Sequence, residues 1–213
     1  EIIQFINEYL YVDENAANAI YEYFREQYLY QEIPHAKKFL IEHYQDHESG
    51  KKYVIFHSLY GRRVNDVISR AVAYAIGKLQ KKDVEIGIND NGFYLASHNN
   101  IQAQRAFELL KSDNLDEVMK KAIEKTEVLK RRFRHCAMRA LMILRTYKGR
   151  TKRVGRQTVS SMILLKAVRE ISNNFSILVE ARREVLEDLM DIENAKKVLK
   201  DIEENRIEVK QIH

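Results

Sequence analysis

The hydrophobic positions change period along the chain, and each change predicts a new element. From Glu14 to Tyr30 the apolar residues Ala16, Ala19, Ile20, Tyr23, Phe24 and Tyr28 stand three or four apart, the spacing of one helix face. With Ile2 to Leu10 before it, this predicts two helices ahead of Pro34. Lys38 to Tyr44 and Tyr53 to Tyr60 are rich in β-branched and aromatic residues around a polar turn with Gly50, and predict a β-hairpin. The helical period returns from Arg62 to Leu79, where Val64, Val67, Ile68, Ala71, Val72, Ala75, Ile76 and Leu79 share one face. Val84 to Ile88 and Phe93 to Ala96 then flank Asn89-Asp-Asn-Gly92, a strong hairpin signal because Asn and Gly tolerate positive φ.

Two hairpins joined by an amphipathic helix are most economically satisfied by a four-stranded antiparallel sheet with that helix on one side. After Ile101 the pattern predicts helices alone. Asn114 with Glu117 has the spacing of a capping box, opening a helix that runs to about Tyr147. A loop from Lys148 to Gly155, a helix from Arg156 to about Ile171 and a break at Ser172 to Asn174 follow. The last helix runs from about Phe175 to Glu204, with Leu178, Val185, Ile192 and Leu199 at seven-residue spacing that suits a bundle or a coiled coil. The expected fold class is therefore α+β, a small four-stranded antiparallel sheet with helices followed by a C-terminal helical bundle. The corresponding subdomains are residues 1–100 and 101–213, the second carrying the helix 115–147.

One Pro and seven Gly in 213 residues, with 45% apolar positions, favour a folded and mostly helical chain over a disordered one. A single Cys rules out an internal disulfide and suits a reducing, cytoplasmic setting. No apolar run approaches bilayer-spanning length, so no membrane partner is expected. The chain opens on Glu1 inside an amphipathic pattern, which suggests a piece of a longer protein.

Charge distribution changes this picture more than net charge does. Between Val128 and Arg169 lie thirteen Lys or Arg and no Asp or Glu, within 42 residues of a chain that is 31% charged. From Glu180 onward the chain turns acidic. Uncompensated cations in this number point to an extended anion, of which a nucleic-acid backbone is the commonest. On a helical wheel Leu129, Phe133, Cys136, Ala137, Ala140, Leu141, Ile143 and Leu144 fill one arc. Arg131, Arg132, Arg134, His135, Arg139 and Arg145 fill the other. The helix thus has one side to bury and one side of cations for phosphates. The blander alternative is a solvated face, or arginines paired with the acidic last helix.

Lys148, Arg150, Lys152, Arg153 and Arg156 extend the basic stretch around Gly149 and Gly155, and Arg156 with Gln157 opens the next helix, where amides point outward. This is not a Walker A loop, since the two glycines are six residues apart and Arg-Gln follows them. In His57-Ser-Leu-Tyr-Gly-Arg-Arg-Val-Asn-Asp66, Arg62 and Arg63 stand in the first turn of a helix against its dipole, which suggests an anion held there or pairing with a nearby carboxylate. His43 and His47 do not share a face on a strand and turn, so no metal site is expected. Cys136 falls on the apolar arc as core packing, Asp90 is explained by its turn, and no catalytic carboxylate pair emerges.

Four segments together resemble the large helicase-related (Lhr-type) proteins, superfamily 2 DNA helicases of archaea and bacteria. They are His-Ser-Leu-Tyr-Gly-Arg-Arg-Val-Asn-Asp (57–66), Asn-Asp-Asn-Gly-Phe-Tyr-Leu (89–95), Lys-Arg-Arg-Phe-Arg-His-Cys-Ala-Met-Arg-Ala-Leu-Met-Ile-Leu-Arg-Thr-Tyr-Lys-Gly-Arg (130–150) and Val-Gly-Arg-Gln (154–157). The matching region is the DEAD/DEAH-associated module that follows two RecA-like motor domains and a winged helix. The resemblance implies a parent enzyme that moves along single-stranded DNA with ATP and Mg, neither bound by this module. Its partners would be single-stranded or branched DNA and the motor and winged-helix domains of the same chain. Arg62, Arg63, Arg131, Arg132, Arg134, His135, Arg139, Arg145, Lys148, Arg150, Lys152, Arg153, Arg156 and Gln157 are the nucleic-acid-binding candidates, with no catalytic residue among them. The alternative is a protein-interaction module whose basic helix docks on an acidic surface of the motor or a partner without touching DNA.

Overall fold

The computed structural model describes residues 1–151 and 153–212. The chain forms two compact units, Glu1–His35 and Ala36–His213. The first holds the two expected helices, α1 (Ile2–Leu10) and α2 (Glu14–Tyr30). Between them Tyr11 turns the chain at φ 53°, and Asp13 caps α2 by accepting the Ala16 N–H at 2.8 Å.

The second unit begins with β1 (Lys38–Gln45), β2 (Lys52–His57), α3 (Arg62–Gln80), β3 (Glu85–Asn89) and β4 (Gly92–Ser97). Both hairpins and the connecting helix are as the periodicity predicts. Alternate residues Phe39, Ile41, Val54, Phe56, Phe93 and Leu95 are buried, as are Val64, Val67, Ile68, Ala71, Val72 and Ile76 of α3. Phe56 stacks on Phe93 with ring centroids 4.5 Å apart and meets Phe39 edge-on. Each such ring contributes about 1.5–3 kcal/mol when fully buried. On the opposite sheet face Tyr94 covers Gly87, where a Cβ would overlap the ring, so glycine there is a packing requirement.

The expected four-stranded antiparallel sheet is in fact a five-stranded mixed sheet, in the order β3-β4-β2-β1 with a C-terminal strand added beside β1. The added strand, β7 (Glu208–Ile212), runs parallel to β1 and pairs Leu40 with Lys210. The Glu208 N–H donates to the Lys37 carbonyl at 2.9 Å. Glu-Val-Lys-Gln-Ile reads as a solvated tail because an edge strand presents charged side chains to water and anchors itself by few apolar groups, here Ile207 and Ile212.

The helices also divide more finely than expected. After α4 (Ala103–Glu108), the segment expected as one helix is α5 (Leu115–Ile123) and α6 (Glu127–Arg139). Thr126 separates them: its hydroxyl donates to the Ile123 carbonyl at 2.7 Å and accepts the Leu129 N–H, ending one helix and capping the next. Asn114 makes no capping box; its side chain accepts from Lys111 N–H and donates to the Leu109 carbonyl, tying the turn behind it. A two-stranded ribbon follows, β5 (Thr146–Tyr147) and β6 (Arg150–Thr151), then α7 (Val154–Ile171). The expected final helix is α8 (Ser176–Arg183), a π-helical turn (Glu184–Leu189) and α9 (Ile192–Glu203), restarted by Asp191 as N-cap. Leu178, Val185, Ile192 and Leu199 are all buried within this chain. The helices do not form a separate bundle: α4, α5 and α9 pack on α3, while α6 packs on α7 and α8. A helix-period pattern identifies a buried face but not the surface that buries it.

Candidate nucleic-acid interface

The burial of α6 follows its wheel. Leu129, Phe133, Cys136 and Ala137 are buried, and the arginines lie on the remaining arc. The sequence then keeps an apolar run, Ala140-Leu-Met-Ile-Leu144, that would prolong a helix, yet the backbone turns. Met142 N–H donates to the Ala137 carbonyl at 2.9 Å and Leu141 N–H to Met138 at 3.1 Å, the paired bonds of a Schellman motif. Leu141 occupies its left-handed position at φ 57°, where a residue with a Cβ costs about 1–2 kcal/mol that glycine would not. Arg145 therefore leaves the helix axis. Lys148 and Gly149, at φ 50° and 74°, make the two-residue turn of the ribbon that carries Arg150.

The structure sorts the candidates by what they touch. Arg132 and Arg139 both reach Glu184, Arg132 at 3.5 Å, and Glu184 is only 5% exposed. The π-helical turn, with Met190 N–H donating five residues back to the Val185 carbonyl, starts at this carboxylate. Arg132 and Arg139 are seven residues apart and so share a helix face; that spacing, set against an acidic C-terminal segment, was the available signal for a common partner. Arg134 donates to the Thr158 hydroxyl at 2.6 Å and fastens the start of α7 to α6. Lys130 pairs with Glu127, and Arg169 donates to the Glu124 carbonyl.

By contrast, the side chains of Arg131, Arg145, Arg150, Arg153 and Arg156 are exposed and make no ion pair or hydrogen bond among the described residues. Lys148 is exposed but engaged, Gln157 is buried and engaged, and Lys152 lies outside the described residues. Two concavities collect the cations. Arg132, His135, Arg139 and Arg145 line one of about 580 Å³ together with Met138, Leu141, Ile143 and Leu144. Lys130, Arg131 and Arg134 line a second of about 320 Å³ with Thr158 and Met162 across from them on α7. His135 has its pKa lowered, first by burial and then by Arg134, Arg132, Arg145 and Arg131, so it is held neutral at neutral pH. The Cys136 thiol is pushed up to about 11 by burial and then by the Glu184 charge, which keeps it from acting as a nucleophile.

Arg62 and Arg63 are placed elsewhere, at the start of α3. The Asp90 carboxylate accepts the Arg62 backbone N–H at 3.2 Å, so the chain supplies the anion in front of this helix itself. Arg63 donates to the carbonyls of Glu187 and Met190, at 2.6 and 2.9 Å, and so closes the far end of the π-helical turn. Asp90 thus does more than turn its hairpin, a role invisible in a sequence where it stands 28 residues from its partner. The start of α7 has the same unfavourable pattern, with Arg153 at the cap position, Arg156 in the first turn, no acid and no side-chain cap. Nothing comparable to Asp90 faces it among the described residues.

Comparison with known proteins identifies the family. Residues 33–213 match the DEAD/H associated family. The ATP-dependent helicase Lhr-Core of Methanothermobacter thermautotrophicus is 56% identical over 213 residues, all of this chain and 25% of that protein. The protein of the same name from Saccharolobus solfataricus is 44% identical, over 98% of this chain and 24% of its own length. This chain therefore spans about a quarter of the length of these two relatives. The solved structure of Mycobacterium smegmatis helicase Lhr, bound to ssDNA and AMP-PNP, superimposes with a TM-score of 0.75 at 26% identity, covering 84% of this chain and 23% of that one. The chain belongs to the DEAD/H associated family, in the form found in Lhr-type helicases.

Proposed function

We propose that this chain is a nucleic-acid-binding accessory module of an ATP-dependent Lhr-type DNA helicase, lining the path of single-stranded DNA beside the RecA-like motor. The observation that carries this reading is the division of labour on α6 and the segment after it. Arg132, Arg134 and Arg139 are spent on internal contacts, whereas Arg131, Arg145, Arg150, Arg153 and Arg156 extend into solvent with no acceptor among the described residues. Cations without protein partners, beside a helix start with no compensating acid, are what a phosphate backbone requires. The likeness to a helicase solved with ssDNA supports the same reading. ATP and Mg belong to the motor of the longer protein, since no G-x-x-x-x-G-K-[ST] segment occurs in this sequence. The module's own chemistry is to bind and orient the strand.

Salt titration of single-stranded DNA binding tests the proposal. If the five free arginines each meet a phosphate, log K against log salt falls with a slope of roughly −3.5, at about −0.7 per contact. Binding indifferent to salt, or absent, overturns it in favour of docking on an acidic protein surface.

Proton linkage gives a second measurement. Burial first, and then the arginines around it, hold the His135 pKa below the ordinary 6.5 in the free protein. A bound phosphate offsets their charge and raises that pKa, so the complex takes up a proton and affinity rises as pH falls through the window below 6.5. DNA binding followed from pH 7.5 to 5.5 is expected to strengthen by roughly three- to tenfold through this group. His135→Asn is expected to flatten the trend, and an unchanged trend in that variant refutes the assignment.

A further inference from the structure

We propose that Leu141 is a wedge on which one nucleobase of the bound strand packs, with the adjoining phosphate taken by Arg145. The inference rests on the nucleic-acid reading above and assigns a role to a residue outside it. The backbone of Leu141 makes the turn, but its side chain serves neither the turn nor the core. Its backbone sits at φ 57°, where glycine is the unstrained choice, and its side chain is 74% exposed. Met142 and Leu144 beside it are exposed as well. A large apolar side chain kept in water at a strained position marks a site whose demands lie outside the fold.

Its surroundings specify the occupant. Leu141 shares the 580 Å³ concavity with Met138, Ile143 and Leu144 and with Arg132, His135, Arg139 and Arg145. That volume lies within the range of clefts that take small flat ligands. Glu184 fixes Arg139 on one side of this hollow, and Arg145, with no acceptor among the described residues, is available on the other. An apolar knob ringed by cations is complementary to a body that is flat and apolar on its faces and anionic along its links. A base on its sugar-phosphate chain has that form. An acidic protein segment would satisfy the cations but leave Leu141 in water.

The test uses the full-length protein and oligonucleotides carrying 2-aminopurine at successive positions. At one position, binding is expected to raise the fluorescence several-fold as that base leaves its neighbours. Leu141→Gly is expected to abolish the rise there and to weaken single-stranded DNA binding by roughly 10- to 100-fold, in line with the loss of one leucine side chain's apolar contact. Its melting temperature is expected to stay level or increase, because glycine suits the backbone. Leu141→Phe should retain the signal. If Leu141→Gly keeps both the fluorescence rise and the affinity, the wedge is overturned while the nucleic-acid reading stands. A marked drop in melting temperature overturns it in favour of a structural role. Should alanine at Arg131, Arg145 and Arg156 also leave binding unchanged, the underlying reading fails with it.

Discussion

Replacing Arg131, Arg145 and Arg156 together by alanine is expected to weaken single-stranded DNA binding roughly 100-fold at 0.1 M salt and to reduce the slope of log K against log salt by about 2. The three lie on three segments, α6, the turn after it and α7, and none has a side-chain partner among the described residues. Each is expected to release about 0.7 of a counterion per phosphate contact, which at 0.1 M salt corresponds to about fivefold in affinity. The melting temperature is expected to be nearly unchanged, since no internal bond is removed. That distinguishes this triple from Arg132, Arg134 and Arg139, whose replacement strips Glu184 and Thr158 of their donors. A loss of affinity without a change of slope would mean that the arginines act on something other than phosphates. No loss at all would leave the helicase module without its basic face as a strand contact.

The same contrast shows how much the sequence could reveal. Period and turn chemistry located α1 to α3 and β1 to β4, because each is a local pattern whose buried face is written in its own residues. Breaks within the long helical stretches were lost to local hydrogen bonds: the Thr126 hydroxyl outcompetes continuation of α5, and a Schellman turn ends α6 despite an apolar run. β7 was missed because its pairing with β1 depends on residues 170 positions apart, as Lys38 opposite Glu208, and carries little apolar signal. The basic face was legible as composition. Which cations are free was not, because Glu184 and Arg139 are 45 residues apart.

Asn65→Leu is expected to destabilise the chain by about 3 kcal/mol, a large share of the 5–15 kcal/mol that holds a typical domain together. Asn65 is fully buried in α3, inside the His57 to Asp66 segment that also carries Arg62 and Arg63. Its side-chain amide donates to the carbonyls of Ser58 and Asn89, at 2.9 and 3.1 Å, and its oxygen accepts the Ser58 hydroxyl at 2.7 Å. One side chain therefore binds the end of β2 to the turn of the β3–β4 hairpin, which in turn presents Asp90 to the Arg62 N–H. Leucine fits the volume but leaves two carbonyls and a hydroxyl unpaired, each at about 1–3 kcal/mol, partly offset where the exposed turn admits water. Asn65→Asp keeps the acceptor and loses the donor, setting a carboxylate against carbonyl oxygens. Its pKa in the folded state must then rise above the unfolded value, so stability lost at pH 7 returns as pH falls through that raised pKa. Urea midpoints at pH 7 and pH 4.5 measure both effects. A change under 1 kcal/mol for Asn65→Leu, or an Asn65→Asp variant no more stable in acid, would show that this buried amide is not what joins α3 to the two hairpins.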